Sequence, residues 1–134
     1  MKEVQPIRDT KKIDAMKSIM KGESNYRDLL LFVLGINTGL RISDILALKW
    51  SSFINGGGRL LKAGDQLNVM EIKTKKIKSF MLNRSVAEAL KLYYDSLTNV
   101  NSDDPVFSSR KTDDGTLQPI TRIAAWQLLN RYAH

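Results

Sequence analysis

The sequence predicts a mainly helical α+β fold with about five helices and a small antiparallel sheet of two or three strands. Two observations support this fold class: apolar residues recur with helical spacing in the first and last thirds of the chain, and β-branched and apolar residues cluster between them. A third is that no internal repeat and no Pro- or Ser-rich linker divides the 134 residues. We therefore expect one domain over residues 1–134.

The first two helices are predicted by their apolar patterns. Residues 10–21 carry one apolar face, and Gly22 can end that helix. Residues 26–37 are apolar almost all round, which predicts a helix buried in the centre of the domain. Gly39 can adopt the left-handed conformation that ends it.

A short third helix is expected over residues 43–48, with Ser43 as its N-cap. Trp50 and Phe53 then predict a more extended segment. The three glycines at positions 56–58 indicate a turn rather than a phosphate-binding loop, because no Lys-Ser or Lys-Thr pair opens a helix after them.

The second half of the chain begins with the sheet. Residues 67–73 and 77–82 have the composition of an antiparallel strand pair. A fourth helix is expected over residues 84–97, with Ser85 and Glu88 at capping-box spacing.

Residues 98–119 have a loop-like composition, in which Val106 and Phe107 predict a small buried anchor and residues 110–115 an exposed excursion. A last helix is expected to begin near Thr121. Core packing is favoured over base stacking for four large aromatic residues: Trp50, Tyr93, Tyr94 and Trp126.

The composition favours an anionic partner. With 21 Lys plus Arg against 14 Asp plus Glu, the net charge is +7, which is typical of nucleic-acid binding. A basic surface that serves only solubility is the alternative. The chain has no cysteine and a single histidine, so we expect no disulfide, no metal and no cofactor.

The most apolar stretch is far shorter than the roughly 20 residues that span a bilayer, and we expect a cytoplasmic protein.

Arg41 is the first candidate for chemistry. Gly39 permits a turn at the end of the second helix, and a new helix begins within a few residues, so Arg41 lies in an elbow between them. A guanidinium in such an elbow can bind two phosphate oxygens at once. The alternative is an ordinary exposed loop arginine.

The segment from Asn37 to Trp50, NTGLRISDILALKW, resembles the first catalytic box of the tyrosine recombinases, also called phage integrases. In that box a Thr-Gly-Leu-Arg sequence is followed by Ser, an acidic residue and a Leu-rich turn. The resemblance implies an integrase-type catalytic domain, in which Arg41 is the first active-site arginine and Asp44 the acidic residue that supports the site.

Lysines cluster between the two predicted strands, at positions 73, 75, 76 and 78. Alone, such a cluster is typical of a solvated hairpin that protects a sheet edge. The resemblance implies that Lys73 protonates the leaving 5′ oxygen of the cleaved DNA strand, with Lys75 as the alternative because the turn lacks the glycine that many family members carry. Lys75, where it is not the proton donor, is expected to bind DNA, and Lys76 and Lys78 are expected to contact the DNA backbone or to stay solvated.

The resemblance covers nearly all 134 residues but only the first two thirds or so of a catalytic domain. The family's His-x-x-Arg box and nucleophilic tyrosine come later in chain order, so His134 and Tyr132 are assigned no role, and no nucleophile is expected in this chain. In the family a DNA-clamping domain usually precedes the catalytic one, and we expect no such domain within residues 1–134.

The implied function of the parent protein is site-specific recombination or integration of phage or mobile-element DNA. Strands would be broken and rejoined through a phosphotyrosine intermediate, without ATP or metal. The implied partners are double-stranded DNA and other recombinase subunits in a tetramer, with no membrane and no small-molecule substrate. We expect the chain itself to bind DNA without cleaving it.

Two alternatives remain. The same fold can serve as a non-catalytic module that binds DNA or another recombinase subunit, and a basic RNA-associated protein can match the arginine box by chance.

Overall fold

The computed structural model describes residues 10–22, 25–98, 100–108 and 119–133, with only the backbone of Thr10, Lys12 and residues 128–133. The elements in chain order are α1 (Thr10–Gly22), α2 (Tyr26–Thr38), α3 (Ile42–Leu46), a 3₁₀ helix (Trp50–Phe53), β1 (Gln66–Met70), β2 (Ile77–Met81), α4 (Arg84–Ser96) and α5 (Arg122–Ala133). The mainly helical α+β fold is confirmed. The predicted excursion at 110–115, His134 and the side chain of Tyr132 lie outside the described residues.

Helix α2 forms the centre of the molecule, as its apolar composition predicts. Seven consecutive residues from Asp28 to Leu34 are buried, and the helix packs most extensively against α4. Asp28 carries a carboxylate in this stretch, and a guanidinium nitrogen of Arg27 lies 3.1 Å from it. No described helix is long and apolar enough to cross a membrane.

The anchor predicted at Val106 and Phe107 is confirmed, because both side chains are fully buried. The Val106 backbone N–H donates to the carbonyl oxygen of Leu48 at 3.0 Å, and the Tyr93 hydroxyl donates to the carbonyl oxygen of Val106 at 2.7 Å. Burial raises the pKa of Tyr93 above its ordinary value, so this phenol stays protonated as a donor. These bonds hold the segment after α4 against the residues that follow α3.

Strands β1 and β2 form a two-stranded antiparallel sheet, with Met70 opposite Ile77 and Val69 opposite Lys78. Leu67 and Val69 are buried on the inner face, whereas Met70, Ile77 and other large apolar side chains are exposed. Strand β1 ends at Met70 rather than at position 73. Lys73 therefore lies within the turn and not at the end of a strand.

The third helix is shorter than predicted and begins one residue earlier. It spans Ile42–Leu46, and Arg41, not Ser43, occupies the N-cap position without a capping side-chain bond. The expectation of an extended segment at Trp50 is wrong. Trp50 and Phe53 are both buried, and a 3₁₀ turn places residues three apart on the same side.

Helix α4 begins where the sequence predicts, but its cap is Asn83 rather than the Ser85 and Glu88 pair. The Asn83 side-chain oxygen accepts from the Val86 N–H at 2.9 Å. Because the helix starts at Arg84, Ser85 is already inside the first turn and cannot serve as the N-cap. Ser85 instead accepts from the ammonium of Lys17 on α1.

The predicted packing of aromatic residues is correct around Trp50, whose ring lies 5.4 Å from that of Tyr93 and 5.5 Å from that of Tyr94. It is wrong for Trp126, which is 61% exposed. Helix α5 packs through Ala125, which is fully buried, and Trp126 lies on the neighbouring face with the exposed Ile123.

Candidate active site at the α2–α3 elbow and the hairpin turn

The elbow between α2 and α3 has a fixed backbone. Gly39 ends α2 in the left-handed conformation, with φ of 67°, as the sequence predicts. The Thr38 hydroxyl donates to the carbonyl oxygen of Leu34 at 2.8 Å and accepts from the N–H of Leu40 at 3.2 Å. The chain therefore turns within two residues after α2 and reaches Arg41 in an extended conformation.

The Arg41 side chain is exposed at this elbow. Its backbone carbonyl oxygen accepts from the N–H groups of Asp44 and Ile45, at 3.0 and 3.1 Å, which begins α3. Among the described residues, the guanidinium has no hydrogen bond and no ion pair. The group is free to bind an anion from outside the chain.

Asp44 links the elbow to the hairpin. The residue is 4% exposed, and its Oδ1 accepts a hydrogen bond from the backbone N–H of Ile72 at 2.9 Å. Ile72 is the neighbour of Lys73, and Asp44 lies one helical turn after Arg41. One hydrogen bond thus links Asp44, on the helix that begins directly after Arg41, to the backbone N–H of Ile72, the residue before Lys73.

The turn between β1 and β2 is closed by paired backbone bonds. Glu71 donates its N–H to the carbonyl oxygen of Lys76, and Lys75 donates its N–H to the carbonyl oxygen of Glu71, each at 2.9 Å. Lys75 has a positive φ of 60°, the conformation that glycine adopts most readily. Lys75 therefore occupies the left-handed position of the turn.

The four lysines of this segment have two kinds of environment. Lys73, Lys75 and Lys76 are exposed, and within the described part of the chain they form no ion pair. Lys78 lies on β2, with its ammonium 3.5 Å from a carboxylate oxygen of Glu71. Two of the three predicted DNA contacts, Lys75 and Lys76, and the predicted proton donor Lys73 thus have no ion pair among the described residues, whereas Lys78 has an intramolecular partner.

Glu71 is a site residue that sequence reasoning missed. It is buried at the end of β1, where its Oε1 also accepts from the Thr74 hydroxyl at 3.1 Å. A signal is present in the sequence, because Glu71 is the sole acidic residue between Asp65 and Glu88 and lies beside the lysine cluster.

In the regions that the structure covers, no group of three acidic or imidazole side chains could hold a metal ion.

The chain belongs to the phage integrase family, whose model matches residues 9–134. It is 34% identical over 130 residues to the probable integrase/recombinase YoeC of Bacillus subtilis (strain 168), a match that covers 97% of this chain and 63% of that protein. The chain therefore spans less than two thirds of the length of this relative. The family resemblance inferred from the sequence is confirmed.

Proposed function

We propose that this chain is the part of a site-specific DNA recombinase that carries the first arginine and the lysine of the catalytic site. Residues 1–134 form an incomplete catalytic domain, and the complete protein breaks and rejoins DNA through a phosphotyrosine intermediate. The nucleophilic tyrosine is assigned to a segment outside this chain. The proposal is supported by family membership and by the name of the Bacillus relative.

The observation that carries the proposal is the hydrogen bond between Asp44 and Ile72. An arginine and a lysine can act on one phosphate only if their backbones keep a constant separation. A buried carboxylate that bonds to the neighbouring backbone N–H provides that constraint. Asp44 is therefore the supporting residue for both Arg41 and Lys73.

Each group has a distinct role in the proposed reaction. The attacking tyrosine oxygen bonds to phosphorus and gives up its proton to a base outside this chain, and the bond from phosphorus to the 5′ oxygen breaks. Arg41 stabilises the negative charge that develops on the non-bridging oxygens, and Lys73 gives a proton to the leaving 5′ oxygen. Lys75 and Lys76 contact the DNA backbone beside the site.

The positive φ of Lys75 supports Lys73 over Lys75 as the proton donor. The family's glycine falls in this turn, and Lys75 holds the conformation that favours glycine. Lys73 is then the residue before the turn's centre and directly after the N–H that Asp44 holds.

The cytoplasm is the expected location of a protein that acts on chromosomal or phage DNA.

The second candidate is a module that binds DNA, or another recombinase subunit, without chemistry. The unpaired lysines of the turn support it equally well, because phosphate contacts need no catalytic arginine. The two candidate functions differ in the role that they give to Arg41. Its substitution should mainly affect the cleavage rate in the first and only the affinity in the second.

The experiment uses a protein that carries this chain together with the nucleophile-bearing segment. We expect Arg41→Ala to lower the rate of cleavage of a nicked duplex by about 10²- to 10³-fold, with a much smaller loss of affinity. Lys76→Ala, the matched control, should weaken binding and reduce the slope of log K against log salt by about 0.9. Equal losses of rate and affinity for Arg41→Ala would contradict the assignment.

The 134-residue chain provides a second test. It should bind duplex DNA in preference to RNA of the same length, and it should form no covalent adduct with a nicked substrate. An adduct would place a nucleophile inside these residues and overturn that part of the proposal. Preference for RNA would favour an RNA-associated protein.

A further inference from the structure

Glu71 has contacts that the proposed mechanism does not use. Its side chain is 12% exposed, and each carboxylate oxygen has a different partner. Oε1 accepts from the Thr74 hydroxyl at 3.1 Å, and Oε2 lies 3.5 Å from the ammonium of Lys78. Such partners compensate a buried carboxylate for the contacts with water that it has lost.

The contact with Thr74 affects the backbone that presents the free lysines. The Thr74 hydroxyl donates to Glu71, and its oxygen accepts from the backbone N–H of Lys76 at 3.2 Å. The backbone of Glu71 is also bonded to Lys75 and Lys76. The side chain and backbone of Glu71 therefore constrain the turn from Thr74 to Lys76, directly after Lys73.

The contact between Glu71 and Lys78 affects the charge of the lysine cluster. This ammonium is partly neutralised within the protein, whereas Lys73, Lys75 and Lys76 have no ion pair among the described residues. An ammonium that already has a carboxylate partner gains less from a phosphate, because the existing pair must first be separated. Lys78 is thus paired with the Glu71 carboxylate, whereas the other three lysines of the cluster have no ion pair among the described residues.

We infer that Glu71 is a positioning residue for the turn that carries Lys73, and that its carboxylate keeps Lys78 from contacting DNA phosphate. The first part concerns the free protein alone. The second part rests on the proposed function, because it requires duplex DNA as the partner. The inference replaces the expectation that Lys78 contacts the DNA backbone. Lys78 instead has a structural role within the hairpin.

Two substitutions separate the two effects. Glu71→Gln keeps an oxygen that can accept from Thr74 but has no charge for Lys78, whereas Glu71→Ala removes both contacts. We expect amide hydrogen exchange at Lys75 and Lys76 to be about fivefold or more faster in Glu71→Ala, and close to the wild-type rate in Glu71→Gln. Thr74→Val should reproduce the faster exchange. Unchanged exchange in Glu71→Ala, with α2 still protected, would overturn the positioning role.

The charge effect is measured by the salt dependence of duplex binding. Glu71→Gln should steepen the slope of log K against log salt by about 0.9, because Lys78 becomes free to neutralise one phosphate. Lys78→Gln alone should leave the slope unchanged, and the double variant Glu71→Gln/Lys78→Gln should return it to the wild-type value. A slope that falls by about 0.9 in Lys78→Gln would show that Lys78 contacts DNA already and would overturn the inference.

A measurement without DNA keeps the inference testable if the proposed function fails. Amine acylation by a water-soluble succinimidyl ester, followed by mass spectrometry, reports how available each lysine is. Glu71→Gln should make Lys78 react about two- to fivefold faster, the range expected for loss of an ion pair whose lysine is exposed, with no change at Lys76. Equal labelling of Lys78 in both proteins would show that Glu71 does not hold it, whether or not the chain binds DNA.

Discussion

The Asp44 carboxylate accepts a hydrogen bond from the backbone N–H of Ile72 at 2.9 Å, across 28 residues of sequence. A hydrogen bond to a charged group contributes about 1.5–3 kcal/mol, and burial of Asp44 protects this one from competition by water. Because the donor is a backbone group, the side chain at position 72 is not constrained by the bond. The link between elbow and turn is thus encoded at Asp44 alone.

Asp44→Ala should disconnect the hairpin turn from α3. We expect the free energy of unfolding to fall by about 1–3 kcal/mol, since the Ile72 N–H loses its partner. Amide exchange at Ile72 should accelerate by about tenfold or more. Asp14→Ala, at an exposed position on α1, is the control and should change stability by no more than about 0.5 kcal/mol. Wild-type protection of Ile72 in Asp44→Ala would count against the link.

Two glycines of α2 should respond in opposite directions to alanine. A Cβ at either Gly35 or Gly39 meets no atom within 4 Å, but only Gly39 has a positive φ. Gly35→Ala should raise the free energy of unfolding by about 0.5–1 kcal/mol, as for any helix-interior glycine. Gly39→Ala should lower it by about 1–2 kcal/mol. Urea denaturation of both variants checks the difference in sign, and a stabilised Gly39→Ala would be incompatible with the left-handed end of α2.

Lys75 is strained by its backbone and Lys76 is not. Lys75→Gly should therefore be neutral or stabilise the protein by up to about 1 kcal/mol, because glycine adopts a positive φ without steric cost. Lys76→Gly removes the same charge and should destabilise by about 0.5–1 kcal/mol. Thermal or urea denaturation compares the two. A larger loss for Lys75→Gly than for Lys76→Gly would be inconsistent with the observed turn.

The ion pair between Lys21 on α1 and Glu88 on α4 should give a small pH dependence. The ammonium lies 2.7 Å from the carboxylate, and this hydrogen bond holds the pKa of Glu88 below its usual value. A carboxyl whose folded pKa is lowered stabilises the protein above its unfolded pKa, near 4.3, and loses this contribution as the pH falls through the folded value.

Both side chains of this pair are about half exposed, so Glu88→Gln should lower stability at pH 7 by no more than about 0.2–1 kcal/mol. The difference from wild type should shrink as the pH falls below about 4 and in about 1 M salt. Denaturation curves at several pH values test it. A difference that grows on acidification would have the wrong sign for this ion pair.

The helices could be predicted because their apolar periodicity survives in the fold. Helix α2 is buried all round and begins at Tyr26 as expected, and α4 begins at Arg84. The sequence was a poorer guide to caps and short turns. Ser85 matches a capping box in sequence, yet Asn83 already satisfies the first turn of α4. Trp126 continues an apolar pattern in α5, but only the face of Ala125 packs against the described core.

Part of the candidate site could be predicted, because several of its residues lie in recognisable sequence patterns. Arg41 and Asp44 lie in a contiguous motif, and Lys73 lies in a recognisable lysine cluster. What joins them could not be predicted, because the partner of Asp44 is a backbone N–H that carries no side-chain signature. Glu71 was missed because its role depends on the register of β1 and β2, which brings Lys78 within 3.5 Å.

The pairing of α2 with α4 has a consequence for how the chain assembles. The two helices are joined by all the residues between Thr38 and Arg84, so their contact requires closure of a long loop before burial compensates the lost entropy. The β1–β2 hairpin is local and can form within microseconds. During synthesis on the ribosome, the part of the apolar surface of α2 that packs against α4 therefore stays uncovered until α4 has emerged, whereas α1 precedes α2 and can pack against it earlier.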